Sequence, residues 1–328
     1  MDSMFFCRNM LCFQSLLGGS ICVIGYIFVF LQIDLYISQL MKDTKTEHIE
    51  ITPNFIDLDK VIASKSPSLQ KKMPRFLMRW LKKLLHVDEI NHYLYLYRDK
   101  FGPDFTEAVL TKALSVRIEV VNPGNIPQTA NPLLVGNHPL GGVDGMALIN
   151  EIGKVRRDIL FPVNDFLLYL PGLRENFIPI NKVGRNSSNL NALEEAFKEN
   201  NALLYFPAGL CSRKQKGEIK DLEWKKTFIK KAVQYHRDIT PVYVDAKNTN
   251  RFYNIANLRK KMGIKFNIEM ALLPDEMFRQ RGKTIRLIFG KPIPYTTFDS
   301  THTDSQWAAL VREHVYKLKE NPDLEFKI

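Results

Sequence analysis

From residue 115 onward, short apolar runs alternate with helical patterns. The β-rich runs are S-V-R-I-E-V-V (115–121), P-L-L-V-G-N (132–137), D-I-L-F-P-V (158–163), F-I-P-I (177–180) and A-L-L-Y-F-P (202–207). I-T-P-V-Y-V (239–244), F-N-I-E-M-A-L-L (266–273) and T-I-R-L-I-F-G (284–290) follow. Helical patterns at 145–152, 188–199, 221–236 and 304–319 separate several of them. This alternation predicts an α/β fold with a largely parallel sheet. The runs are almost continuously apolar, as expected of strands whose two faces are both covered by helices. Residues 42–113 read as mainly helical and precede the sheet.

A different pattern occupies residues 71–86, K-K-M-P-R-F-L-M-R-W-L-K-K-L-L-H. Phe76, Leu77, Trp80, Leu81, Leu84 and Leu85 recur at spacings of one and four, which gathers them on one helical face. Lys71, Lys72, Arg75, Arg79, Lys82 and Lys83 supply six cations and no acid. Pro74 suits a first helical turn. Two readings stand side by side: a helix packed on the core with a solvated basic face, or a helix lying in a membrane interface. In the second, Trp80 sits at headgroup level and the cations face anionic lipid.

The N-terminal 40 residues form a third pattern. Between Arg8 and Asp34 no residue is charged, and about 20 apolar residues suffice to span a bilayer. The segment reads as a membrane anchor whose more basic C-terminal side stays in the cytoplasm, or as an over-extended gene start preceding Met41. The expected organisation is therefore a hydrophobic segment (1–40), a helical region with a basic amphipathic helix at 74–86 (41–113), and the α/β domain (114–328).

Composition adds one fact to this picture. The 328 residues carry 46 Lys and Arg against 35 Asp and Glu, a formal net charge of +11. Such a surface suits anionic partners: nucleic acid, phospholipid or an acidic carrier. No nucleic-acid recognition motif accompanies the charge, so nucleic acid is not an expected partner. Cys7, Cys12, Cys22 and Cys211 show neither zinc spacing nor a disulfide framework, and no metal is expected.

Sites in open α/β sheets gather where strands end at their carboxyl edge. Three polar or glycine-rich loops follow strands here: N-H-P-L-G-G-V-D-G, N-K-V-G-R-N-S and A-G-L-C-S-R-K-Q-K-G. All three are expected to open on one edge. In the first, His138 follows a strand and Asp144 opens a helix. Singly, Asp144 reads as a helix cap and His138 as a loop residue. Together they read as a base, the carboxylate fixing the imidazole so that its other nitrogen takes a proton from a hydroxyl. Residues six apart do not face each other on a helix, so Gly141 and Gly142 must let the loop fold back. Cys211 and Ser212 lack the G-x-S-x-G elbow of a nucleophile, and no phosphate loop or dinucleotide fingerprint is present. What remains is a base acting on the substrate's own hydroxyl. Arg185, Arg213, Lys214 and Lys216 are nearby cations for an anionic donor, each also readable as a solvated loop residue.

N-H-P-L-G-G-V-D-G, F-I-P-I-N-K, F-P-A-G-L-C-S-R and T-P-V-Y-V resemble, in order, the four blocks of the lysophosphatidate-type (PlsC-like) glycerolipid acyltransferases. With its flanking pattern the resemblance extends over about residues 115–290. It implies that His138 deprotonates an acceptor hydroxyl, which attacks the thioester of acyl carrier protein or acyl-CoA, and that Asp144 orients His138. No cofactor, metal or acyl-enzyme is implied beyond the thioester co-substrate. It further implies substrate contacts at Asn137, Gly142, Asn181, Lys182, Arg185, Gly209, Ser212 and Arg213. A membrane-surface substrate is implied as well, and this favours the interfacial reading of 71–86. The expected location is the cytoplasmic face of the inner membrane, peripheral or N-terminally anchored.

The sequence also departs from the family pattern. Five residues separate His138 from Asp144 where four are usual. Asn181 and Lys182 stand where the second block ends in arginine. In the third block Ala208, Leu210 and Cys211 replace glutamate, threonine and arginine, the residues expected to engage an acceptor phosphate. The altered set resembles the hemolysin-like branch, which O-acylates lyso-aminolipids built on glycine or ornithine. The expected function is accordingly O-acylation of a lyso-aminolipid hydroxyl. Lysophosphatidate is the alternative acceptor, and a non-catalytic membrane-surface protein is the alternative of another kind.

Overall fold

The computed structural model describes residues 51–65, 71, 73–163, 170–179, 187–264 and 267–327. The apolar N-terminal segment 1–40 and the candidate residues Asn181, Lys182 and Arg185 lie outside the described residues.

The near-continuous apolar runs become a seven-stranded sheet ordered β1-β9-β8-β2-β5-β3-β4. Its strands are β1 (Arg117–Val121), β2 (Leu133–Gly136), β3 (Ile159–Val163), β4 (Phe177–Pro179), β5 (Ala202–Tyr205), β8 (Ile239–Asp245) and β9 (Thr284–Phe289). A separate two-stranded hairpin is formed by β6 (Arg213–Gln215) and β7 (Glu218–Lys220). All pairings in the large sheet are parallel except β8 with β9. β2 therefore lies centrally, with Leu133 beside Leu203 of β5 on one side and Ile239 of β8 on the other.

Both faces of β2 are buried, and alternate residues feed different cores. Leu134 joins a cluster with Val143, Met146, Ile149 and Phe161, on the face covered by α5 (Gly142–Ile152). Leu133 and Val135 join Phe197, Phe228, Ile229, Trp307 and Val311 on the other face. That face is covered by α6 (Ser187–Lys198), α7 (Thr227–Gln234) and α10 (Asp304–Lys317). Each such fully buried side chain contributes about 1.5–3 kcal/mol. Two buried faces on one strand anchor β2 firmly, and the loop leaving its carboxyl end carries His138.

The described residues of the region before the sheet, from 51 to 113, are mainly helical. They comprise α1 (Leu58–Lys65), α2 (Arg75–Leu84), α3 (Val87–Leu96) and α4 (Gly102–Glu107), which runs into a π-helical turn at Ala108–Ala113. The apolar face of α2 is divided. Met78 and Leu81 pack with Leu58, Ile62 and Val87, whereas Phe76 and Trp80 stay exposed.

The described part of the run at 266–273, residues 267–273, is not a strand. Ile268–Leu272 form a 3-10 turn that continues into α9 (Leu273–Phe278). A short continuous apolar run fits strand and helix equally by periodicity. Here Pro274 stands in the first turn of α9, and the edge of β8 is taken by β9. The helical pattern at 221–236 narrows to Thr227–Gln234, because Asp221 and Trp224 are drawn into the site described below. The segment 249–279 also contains α8 (Asn250–Lys261), which the alternation did not mark.

Candidate active site

The first loop turns on Gly141. Its φ of +87° and ψ of −131° belong to a region that side chains exclude. A Cβ there would lie 3.1 Å from Leu273 Cδ1 and 3.2 Å from Cys211 Sγ. This turn accommodates the fifth intervening residue. Gly141 caps α5 and Gly142 is its first residue, which puts Asp144 at the third position. The Asp144 carboxylate then reaches back: Oδ2 accepts from the backbone N–H of Leu140 at 2.8 Å and of Gly141 at 3.1 Å. The capping role and the catalytic role expected of this residue share one geometry.

His138 Nδ1 lies 3.1 Å from the same oxygen, with the ring 15% exposed and the carboxylate 0%. Nδ1 and Oδ2 face each other at this distance without meeting the geometry of a regular hydrogen bond. Oδ1 of Asp144 finds no donor among the described residues. Burial pushes the Asp144 carboxyl above its ordinary range, and His138 and the two backbone N–H groups only partly offset it. With Nδ1 turned to the carboxylate, Nε2 is the nitrogen left to take a proton. The imidazole is held flat on Phe206, ring centres 4.3 Å apart, and Phe206 in turn meets Phe161 edge-on at 5.3 Å.

The backbone of His138 is held by a residue that the sequence did not mark. Asp221 is 1% exposed. Its carboxylate accepts from His138 N–H at 3.1 Å (Oδ1) and 3.2 Å (Oδ2), from Ser212 Oγ at 2.5 Å and from Trp224 Nε1 at 2.9 Å. Its own N–H donates to Tyr316 Oη at 2.7 Å, and Arg312 donates to its carbonyl at 2.6 Å. The Ser212 N–H completes the link by donating to the His138 carbonyl at 2.7 Å. The first and third loops are thereby brought together, as the convergence argument expects. No sequence signal distinguishes Asp221 from a surface acid in a loop. A removal of its carboxylate by Asp221→Ala leaves three buried donors unpaired, and such groups cost about 1–3 kcal/mol each. A loss of at least about 3 kcal/mol in urea unfolding is expected, and a loss under about 1 kcal/mol contradicts this role.

The family model described as Acyltransferase matches residues 60–325 of the chain. The chain belongs to the acyltransferase family. Two relatives are each 46% identical over 265 residues, or 80% of this chain. They are the lyso-glycine lipid O-acyltransferases of Bacteroides thetaiotaomicron, 97% covered, and of Phocaeicola vulgatus, 95% covered. The crystal structure of the 1-acyl-sn-glycerophosphate acyltransferase PlsC from Thermotoga maritima aligns over 91% of this chain and 95% of that one. Its TM-score of 0.41 and 16% identity are too low to add to the argument.

In this acyltransferase the other expected contact residues have visible employments. Asn137 spends its amide on β8: Nδ2 donates to the Val244 carbonyl at 2.9 Å and Oδ1 accepts from the Val244 N–H at 2.7 Å. It fixes the end of β2 one residue before His138. Gly209, with φ of +64°, forms the turn of the third loop. Ser212 gives its hydroxyl to Asp221. Arg213 is buried: Nη1 donates to the Cys211 carbonyl at 2.5 Å, Nη2 lies 2.8 Å from Glu269 Oε1, and the guanidinium stands over the Phe252 ring. Glu269 is 0% exposed and has Arg259 as a second partner at 2.9 Å. Lys214 and Lys216 lie on the β6–β7 hairpin. Among the described residues no group of three or more metal-ligating side chains is found.

Proposed function

We propose that this acyltransferase moves a fatty acyl group from the thioester of acyl carrier protein or coenzyme A to the hydroxyl of a lyso-glycine lipid. The chief support is that two relatives 46% identical over 265 residues carry that name. The site agrees in one particular. Arg213, the arginine nearest the third-loop serine, is held by Glu269, and the glutamate, threonine and arginine expected to engage a phosphate are replaced by Ala208, Leu210 and Cys211. An acceptor with a hydroxyl and no phosphate suits such a site.

In this reading the acceptor oxygen gives its proton to His138 Nε2 and attacks the thioester carbonyl. The new C–O bond forms, the C–S bond breaks, and the departing thiolate takes the proton from the imidazolium. Asp144 holds the ring in place and balances its transient charge. The step is written with neither a metal nor an acyl-enzyme. Burial pushes the Cys211 thiol up to about 12, and the Ser212 hydroxyl is bound to Asp221, so neither suits a nucleophile's part.

The lipid nature of the acceptor also places the enzyme at a membrane surface in this reading. No described helix is long and apolar enough to cross a bilayer. The basic helix α2, with Phe76 and Trp80 outward, is the element proposed to lie in the interface.

The test is a direct competition of acceptors. Purified protein is offered an acyl-carrier thioester or acyl-CoA with lyso-glycine lipid, lyso-ornithine lipid or lysophosphatidate, and ester formation is followed by mass spectrometry. Lyso-glycine lipid is expected to be acylated at least about tenfold faster than lysophosphatidate, a difference of about 1.4 kcal/mol in the barrier. Preferential acylation of lysophosphatidate contradicts the proposal.

A further inference from the structure

Helix α2 presents its exposed apolar residues as a stripe. Phe76 (66% exposed), Trp80 (43%) and Leu84 recur every four residues along one side. Leu84, at the end of that stripe, rests on the small core formed by Cys211, Phe252, Tyr253 and Leu272. Ile255 of α8 rests on the same core. Ile255, Leu258 and Met262 share one side of α8 and its end, at offsets of three and seven. Leu258 is 57% exposed and Met262 55%. The two stripes thus leave one core in sequence-distant elements, and each ends in large exposed apolar side chains.

Cations accompany both stripes. Neither α2 nor α8 contains an acid. Arg75, Arg79 and Lys83 are exposed on α2, and Lys260 and Lys261 are exposed beside Leu258 and Met262. Apolar side chains set among cations, with acids absent, match the chemistry of an anionic lipid surface and not that of a water-facing helix. α8 also touches the machinery of the site. Its Arg259 shares Glu269 with Arg213, and the segment it belongs to supplies Asn248, whose Nδ2 donates to the Pro139 carbonyl at 3.2 Å.

We infer that the end of α8, Leu258 to Met262, is a second lipid contact, which together with α2 seats the acyltransferase on an anionic membrane. This rests on the proposed membrane placement of α2 and adds to it a second, independent point. Two separated contacts fix the orientation of the body, whereas one helix leaves it free to pivot. With both seated, the loop of His138 is held at a set height over the lipid from which the acceptor is drawn.

The experiment uses the full chain with vesicles of phosphatidylglycerol and phosphatidylethanolamine, and with neutral phosphatidylcholine vesicles as reference. Binding is read by co-sedimentation. Leu258→Ser with Met262→Ser is expected to weaken binding to the anionic vesicles about tenfold, in line with losing two buried apolar side chains. Lys260→Glu with Lys261→Glu is expected to weaken anionic binding by a similar factor and to leave phosphatidylcholine binding unaltered. Both variants are expected to keep the wild-type melting curve and the wild-type rate on detergent-dispersed acceptor, since these side chains are exposed and make none of the contacts described for the site. Wild-type binding that survives both substitution pairs overturns the second contact and leaves the placement of α2 standing. A wild-type chain that binds neither vesicle overturns both. A change in solution mass on mutation, measured by light scattering without lipid, would assign the patch to contact between copies and overturn the inference as well.

Discussion

His138→Ala is expected to reduce acyl transfer by about a thousandfold or more, because general-base catalysis of this kind contributes about 10²–10⁴. The fold is expected to survive. The contacts that hold this residue in place are made by its backbone: the N–H to Asp221 and the carbonyl to Ser212, both retained in alanine. What disappears is the ring, with its stacking on Phe206 and its contact with Asp144. The aromatic contact is worth about 0.5–1.5 kcal/mol, a modest loss for a chain of this size. Thiol release from the donor, followed with a colorimetric reagent, reads the rate, and urea unfolding reads the fold. Transfer at more than about a tenth of the wild-type rate in a folded variant would sink the assignment of the base.

Asp144→Asn should separate activity from stability in the opposite sense from most buried substitutions. The carboxyl is pushed upward, first by burial, with His138 and the Leu140 and Gly141 N–H groups pulling it down. A carboxyl whose folded value is raised favours folding only while it is protonated. That stabilisation is present below its unfolded value and is lost as pH rises through the folded one. At neutral pH the ionised carboxylate is therefore a cost to the fold, which a neutral amide of the same shape removes. Stability at pH 7 is expected to be unchanged or higher in Asp144→Asn, and the advantage over wild type should vanish in acid. Activity is expected to fall by about 10²–10⁴, since the imidazolium loses its counter-charge and the ring its orientation. For the same reason the wild-type rate should decline on the acid side at a pH above the ordinary carboxylate range, as Asp144 takes up its proton. A variant less stable than wild type at pH 7, or one that transfers acyl groups at wild-type rate, contradicts this account.

Much of this was legible along the chain because it is local. An apolar run long enough for one strand, followed by glycines or polar residues, reports its own structure whatever lies next to it. Seven of the eight predicted strands form, and the described residues between 51 and 113 are mainly helical. The pair His138 and Asp144 was legible for a related reason. Only five residues separate them, and Gly141 among these makes a turn that only glycine can make. The family resemblance, read on four short blocks, led to the acyltransferase family that the match over residues 60–325 shows.

The remainder depends on distance in sequence. Asp221 lies 83 residues from His138, and its importance arises only when the third loop folds over the first. Ser212 and Trp224 lie near it in the chain, but His138 does not, so no short window of sequence contains the network. Within the run 266–273 Ile268–Leu272 form a 3-10 turn, because a short apolar run fits strand and helix equally and only the packing around it chooses. Arg213 read as a cation for an anionic ligand. Glu269, 56 residues away and fully buried, makes it an internal ion pair. The sequence by itself determined most of the element types and the closeness of His138 to Asp144, since these follow from local periodicity and from the conformational freedom of glycine. Only the tertiary structure decided which charged groups remain available to a substrate. That depends on which side chains are brought together in a buried space where an unpaired charge cannot persist.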